Sequence, residues 1–223
     1  MSDSYKYKLT SKNFTFLLIA TMQEVMILRL AKSASIYAGH DAWISILLTS
    51  ALPFAALFII NKLCSRFPSM TLAEINDKIL GRFLGKGLSF VYVLYFVAYS
   101  ALVVRLFVEL LNTYLFVRTP GWALSLLMVL TITYIFSRDI RPIAWMNELI
   151  QYALLFILIL VIYALTKADL NNLLPVGDAG LTNILLGLQG AFFAYLGPEI
   201  LLVVYPFIQN KQEVFKAGAI AIA

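Results

Sequence analysis

The sequence predicts an all-α polytopic membrane protein with broken helices, and three observations predict it. Of the 223 residues, 61% are hydrophobic and 13% charged, and the apolar residues come in long blocks instead of the spaced stripes of a soluble core. Lysines and arginines divide unevenly among the segments that join those blocks. One apolar block, "AFFAYLGPEILLVVYPF" (Ala191 to Phe207), carries a helix breaker and a carboxylate at its centre.

The elements follow in order. Residues 1–13, "MSDSYKYKLTSKN", lack the charged start, apolar core and small-residue cleavage site of a secretory signal, and read as a cytoplasmic tail. Residues 14–223 read as one transmembrane domain with spans at about 14–36, 42–60, 88–116, 122–137, 145–166 and 181–208. Each reaches roughly the 17 residues that a crossing needs. A seventh begins at Val214 and is cut off at Ala223. Between the second and third, Leu72, Ile75, Ile79 and Phe83 recur at three- and four-residue intervals, and Thr71 to Glu74 has the form of a capping box. That segment reads as an amphipathic helix lying along the membrane surface.

With the tail inside, the inner segments hold twelve lysines and arginines and the outer loops two, Arg118 and Lys167. This bias explains the net charge of +5 without nucleic acid, since basic and aromatic residues do not interleave. One cysteine, Cys64, excludes an internal disulfide framework, and one histidine, His40, leaves no cluster for zinc or iron. No cofactor is expected. An enzyme is the weakest reading, because no catalytic serine set, paired cysteine or phosphate loop is present.

A charge inside a span costs several kcal/mol unless paired or wetted, so each needs a reason. The candidates are Gln23, Glu24 and Arg29 in the first span, Arg105, Glu109 and Asn112 in the third, Gln151 in the fifth, and Gln189 and Glu199 in the sixth. Arg105 and Glu109, four apart, either pair with each other or line a ligand path. Gln151 and Gln189 suit interhelical hydrogen bonding. In the sixth span Pro198 has no N–H for the carbonyl of Ala194, and Gly197 lets the backbone bend, so two half-helices are expected. Broken backbone at membrane depth is tolerated where it faces protein or a water-filled cavity. Glu199 then either caps the second half-helix or serves as a ligand or proton site.

Several pieces in sequence order carry a resemblance: Thr21-Met22 through Leu30-Ala31-Lys32, "AGHDAWIS" (Ala38 to Ser45), "FPSM" (Phe67 to Met70), Arg105 and Glu109 followed by "RTP" (Arg118 to Pro120), "NNLLPVGDAGL" (Asn171 to Leu181) and "YLGPEILLVVYPFI" (Tyr195 to Ile208). Over nearly its whole length the chain resembles the B-subunit family of spore germination receptors, the endospore permeases of the amino acid, polyamine and organocation transporter superfamily. The resemblance implies ten spans in two inverted five-helix repeats, with spans one and six broken around a central site. It implies detection of a small-molecule germinant, an amino acid or a related compound, in the spore inner membrane, together with A- and C-type partner subunits. The ligand residues it implies, alongside the reading of the interior charges, are Glu24, Arg105, Glu109, Tyr195, Gly197, Pro198 and Glu199, in a site between spans one, three and six.

The chain departs from the family pattern in three places. Where the family has a glycine-containing stretch in span one, this chain has "QEVMI" with Glu24 and Met26, and Ala31-Lys32 stands for a Pro-Arg pair. Without glycine or proline the first span is free to stay helical. Glu24 favours a cationic or amine-like ligand by repelling a carboxylate; the other reading pairs it with Lys32 or Arg105. Trp145 occupies a position where the family commonly carries an arginine. Finally, family members are longer, so only the start of a second repeat is expected here. Three functions follow: a germinant-sensing subunit, a proton-coupled amino acid or amine permease, or a truncated remnant.

Overall fold

In the computed structural model, residues 9–23, 29–137, 140–169 and 173–222 are described, and they are nearly all helical. The chain forms two compact units, residues 67–143 making one and the flanking segments the other.

The larger unit holds α1 (Ser11–Met22), α2 (Leu30–Ala38), α3 (Ala42–Ser65), α6 (Ile140–Leu165) from residue 144 onward, α7 (Gly180–Phe192), α8 (Leu201–Val204) and α9 (Val214–Ile222). The smaller holds α4 (Leu72–Tyr114) and α5 (Gly121–Phe136). α1 begins at a capping box in which the Thr10 hydroxyl accepts from the Asn13 amide at 3.2 Å. It ends at Met22, where the Gln23 amide donates to Ile19 at 2.8 Å, and helix resumes at Leu30. The first span is therefore two helices, although it lacks the glycine or proline that would have announced a break. Glu24 lies outside the described residues.

The sixth span breaks where expected. Helix α7 closes through a 3-10 turn at Phe193–Tyr195, Leu196 is extended, and a second segment restarts at Pro198. The two pieces are bent by 42°. The second piece is less regular than a half-helix, one α turn (α8) between two 3-10 turns.

Glycines record how the first and sixth spans pack. A methyl added at Gly187 would meet Ser45 and Ala38, one at Gly190 would meet the Ser33 carbonyl and Ala34, and one at Gly197 would meet Thr21 and Met22. As the number rises along the sixth span it falls along the first, so the two run antiparallel. Small residues let the backbones touch, with Ala34, Ala38 and Ala191 fully buried. Just before α1, Leu9 forms an isolated parallel bridge with Ile208. The Leu9 amide donates to the Phe207 carbonyl at 2.7 Å, and Leu9 accepts from the Gln209 amide at 2.9 Å. α3 packs on α2, α7 and α9, and α9 packs also on α1, enclosing a core of Phe14, Leu18, Leu57, Leu201, Tyr205 and Val214.

In the smaller unit the predicted capping box is present: the Thr71 amide donates to Glu74 Oε2 at 2.7 Å and the Glu74 amide to the Thr71 hydroxyl at 3.4 Å. The helix that begins there breaks at Gly81, whose φ of 78° and ψ of 162° are open to glycine and strained for other residues. The chain then folds back sharply: a methyl at Gly85 would come within 2.6 Å of Asp77 Cα. Asn76 donates to the Ser89 hydroxyl at 3.1 Å, fixing the crossing.

Among the described residues, two helical stretches, Leu30–Ser65 and Leu72–Tyr114, are long and apolar enough to cross a membrane, and the bent pair Gly180–Tyr195 plus Pro198–Phe207 makes a third if taken as one span. The six spans read from the sequence remain a proposal: α6, at 26 residues, also has the length of a crossing, while α1 and α5, at 12 and 16 residues, are each shorter than a straight one.

Candidate functional site

The end of α1 and the break of the sixth span meet at one level. Gly197 has φ 140° and ψ −35°, a conformation that side chains rarely adopt. It is also wedged: an added methyl would lie 2.8 Å from Met22 Cγ and 3.2 Å from the Thr21 hydroxyl. Two independent requirements, backbone conformation and space, select glycine there. Pro198 follows, buried, with no amide to offer the preceding turn.

Glu199 Oε2 accepts a hydrogen bond from the Gly197 amide at 2.9 Å. The carboxylate thus caps the restarted segment, as one of its two sequence readings required. Tyr195 is half-buried on the last turn before the break. The structure thus gathers Tyr195, Gly197, Pro198 and Glu199 around one discontinuity, against the terminus of α1.

Arg105 and Glu109 lie on α4 in the smaller unit. Arg105 is exposed and lines a cavity of about 960 Å³ between α4 and α5, with Ser100, Val104, Val108, Gly121 and Ser125. Glu109 is also exposed; its carbonyl accepts from the Thr113 hydroxyl at 2.8 Å. Asn112, in the amide orientation that satisfies both its groups, donates to the carbonyls of Phe116 and Thr119, closing the end of α4. Gln151 is buried. Gln189 lines a smaller cavity of about 380 Å³ with Leu52, Leu188, Phe192 and Phe193.

Two anchoring residues escaped the sequence reading. Asp41, buried in the turn between α2 and α3, accepts from the amides of Gly177 at 2.8 Å and Ala179 at 2.9 Å. These two amides hold its carboxyl below the ordinary value. The Ser45 hydroxyl adds a bond to the Ile184 carbonyl at 2.8 Å. "AGHDAWIS" and the "PVGDAGL" loop are thus partners, and the available signal was an acid beside a glycine-rich turn far along the chain. Glu148 is the second. It pairs with Lys12 at 2.6 Å and accepts from the Tyr152 hydroxyl at 3.3 Å, tying α1 to α6. Among the described residues, no group of three or more histidines, cysteines and carboxylates gathers to hold a metal ion.

Residues 8–223 match the family described as Spore germination protein. The chain is similar to Spore germination protein YndE of Bacillus subtilis (strain 168), 29% identical over 215 residues covering 96% of this chain and 59% of that protein. Spore germination protein GerQB of Bacillus cereus is 27% identical over 93% of this chain and 57% of its own length. Spore germination protein KB of B. subtilis is 30% identical over 83% of this chain and 51% of its own. The chain therefore spans between half and three-fifths of the length of these curated relatives. No solved structure matches. With the match running over nearly the whole chain, and with apolar helices able to cross a membrane, this protein belongs to the spore germination protein family of spore permeases.

Proposed function

We propose that the chain is an integral membrane subunit of a spore nutrient germinant receptor, sensing an amino acid or amine-like germinant and coupling it to germination. The observation that carries this reading is the coincidence of two helix ends at one level: α1 stops at Met22 where the sixth span breaks at Gly197, and Glu199 stands at the restart. Paired discontinuities expose backbone donors and acceptors to a ligand without leaving them in lipid. The antiparallel run of the first and sixth spans supports two inverted repeats, and a ten-span fold for the longer relatives. In this proposal Tyr195, Gly197, Pro198 and Glu199 bind the germinant, Glu24 lies in the adjoining segment, and Arg105 and Glu109 serve a ligand path in their own unit. The subunit acts with A- and C-type partners in the spore inner membrane, its N-terminus cytoplasmic.

The test is Glu199→Gln. Glutamine still accepts the Gly197 amide, so the variant should insert and unfold within about a degree or two of the parent, while losing thermal stabilisation by every member of a panel of amino acids and amines. A normal response would reduce Glu199 to a helix cap. The position of a carboxylate at a backbone discontinuity favours a second reading, a proton-coupled permease with Glu199 as its proposed proton carrier. Uptake of labelled amino acid into proteoliposomes, abolished by the same variant, would select that reading; binding without uptake selects the receptor.

A further inference from the structure

We infer that the fold-back at Gly81 builds a docking surface for anionic phospholipid headgroups, with Lys78, Arg82 and Lys86 as its cations and Phe83 as its apolar anchor. Nothing in this depends on which germinant the receptor senses; it requires only that α4 lie in a bilayer.

Three observations carry it. First, the three cations occupy nine consecutive residues and all are exposed. The close approach of Gly85 to Asp77 brings together the helix that carries Lys78 and the helix that carries Lys86. Three exposed cations within one such fold-back suit an anionic partner. Second, the acids nearby do not serve that purpose. Glu74 is engaged in the cap with Thr71, and Asp77 Oδ1 is buried and without a hydrogen-bond partner among the described residues. Lys78 stands over the Phe67 ring at 5.2 Å, which leaves its ammonium at the surface.

Third, the apolar residues are sorted by face. Ile75 and Asn76 turn inward onto the start of the long helix, whereas Ile79, Leu80, Phe83 and Leu84 face out, Phe83 at 90% exposure. An outward aromatic flanked by cations, on a helix that enters an apolar span within a few residues, has the arrangement of an interfacial anchor. Zwitterionic lipid satisfies the apolar half of this surface; anionic lipid satisfies both halves. The occupant is therefore a lipid such as phosphatidylglycerol, not a soluble phosphate, which would leave Phe83 and Leu84 in water.

The experiment uses the full chain in nanodiscs of phosphatidylcholine with increasing phosphatidylglycerol, reading thermal unfolding and, by native mass spectrometry, the anionic lipids retained. The parent should be stabilised by phosphatidylglycerol and retain it selectively. K78Q, R82Q and K86Q combined should remove the selectivity, each single change weakening it by roughly fivefold or less. The charge-keeping variant K78R/K86R should retain it, which separates lost charge from lost folding, and equal unfolding of parent and triple variant in pure phosphatidylcholine shows the fold intact. Equal phosphatidylglycerol retention by parent and triple variant overturns the proposal, as does stabilisation by inorganic phosphate to the same extent.

Discussion

The first and sixth spans touch at Gly187, Gly190 and Gly197, and in both a described helix ends at the level of Met22 and Gly197, yet their sequences are unlike there. The sixth has Gly197-Pro198, a residue that tolerates φ of 140° followed by one that cannot donate, and its break is written in two letters. The first has neither residue between Met22 and Leu30. Its helix stops at a capped Gln23 that a propensity argument would have run through. One span thus breaks by its own local chemistry, the other beside a partner that is already broken. The lesson is that helix-breaking residues are sufficient for a discontinuity but are needed on one side of such a pair only.

The comparison can be broken most directly at the contact that joins the spans. Gly190→Val would drive a branched side chain into the Ser33 carbonyl, costing about 3 kcal/mol or more, and thermal unfolding in detergent should show it as a large loss. If the spans were not in contact there, the substitution would be mild.

Gly197→Ala sharpens the comparison at the break itself. Backbone strain and the overlap with Met22 together should cost about 2 kcal/mol. Met22 is buried, so Met22→Ala is itself destabilising and the readout is a double-mutant cycle, in which the two changes together should cost less than the sum of each alone. A coupling that cancels the whole cost of Gly197→Ala would mean that space alone selects glycine.

Asp41 tests the far end of the same pair. Its folded carboxyl lies below the ordinary value near 3.8, so its contribution is fully present above that value and is lost as pH falls through the lower folded value. The unfolding temperature of the parent should therefore fall as pH drops below about 4. Asp41→Asn should begin lower and fall less steeply, part of the remaining slope belonging to Glu74, whose carboxyl is also held low by its bonds to Thr71. An unchanged acid slope in the variant would assign the effect to other carboxylates.

The smallest change is expected where a glycine has room. Gly87, in α4, has ordinary helical backbone and no atom within 4 Å of an added methyl. Gly87→Ala should be neutral or stabilising by roughly 0.5–1 kcal/mol. Against Gly190→Val this control separates helix propensity from interhelical contact.

Much of the fold was legible in the sequence. The cap at Thr71 and Glu74, the break at Gly197 and Pro198, and the helical, membrane-suited character of the chain all follow from interactions between residues a few positions apart. Of the candidate ligand residues, Tyr195, Gly197, Pro198 and Glu199 come together because they are sequence neighbours at one break. Asp41 and Glu148 were not legible. Their partners, at Gly177 and Ala179 and at Lys12, lie more than a hundred positions away, and an acid beside a loop looks the same with or without them.

The sequence by itself determined which segments are apolar, where the sixth span breaks and where the surface helix begins, because hydrophobicity, proline and capping act locally. Only the tertiary structure decided that the first span breaks too, that it runs antiparallel to the sixth with the interruptions aligned, and that Asp41 closes the far loop. Those outcomes depend on which surfaces meet. Glycines at 187, 190 and 197 permit a close approach, but the approach exists only once the opposite helix is in place.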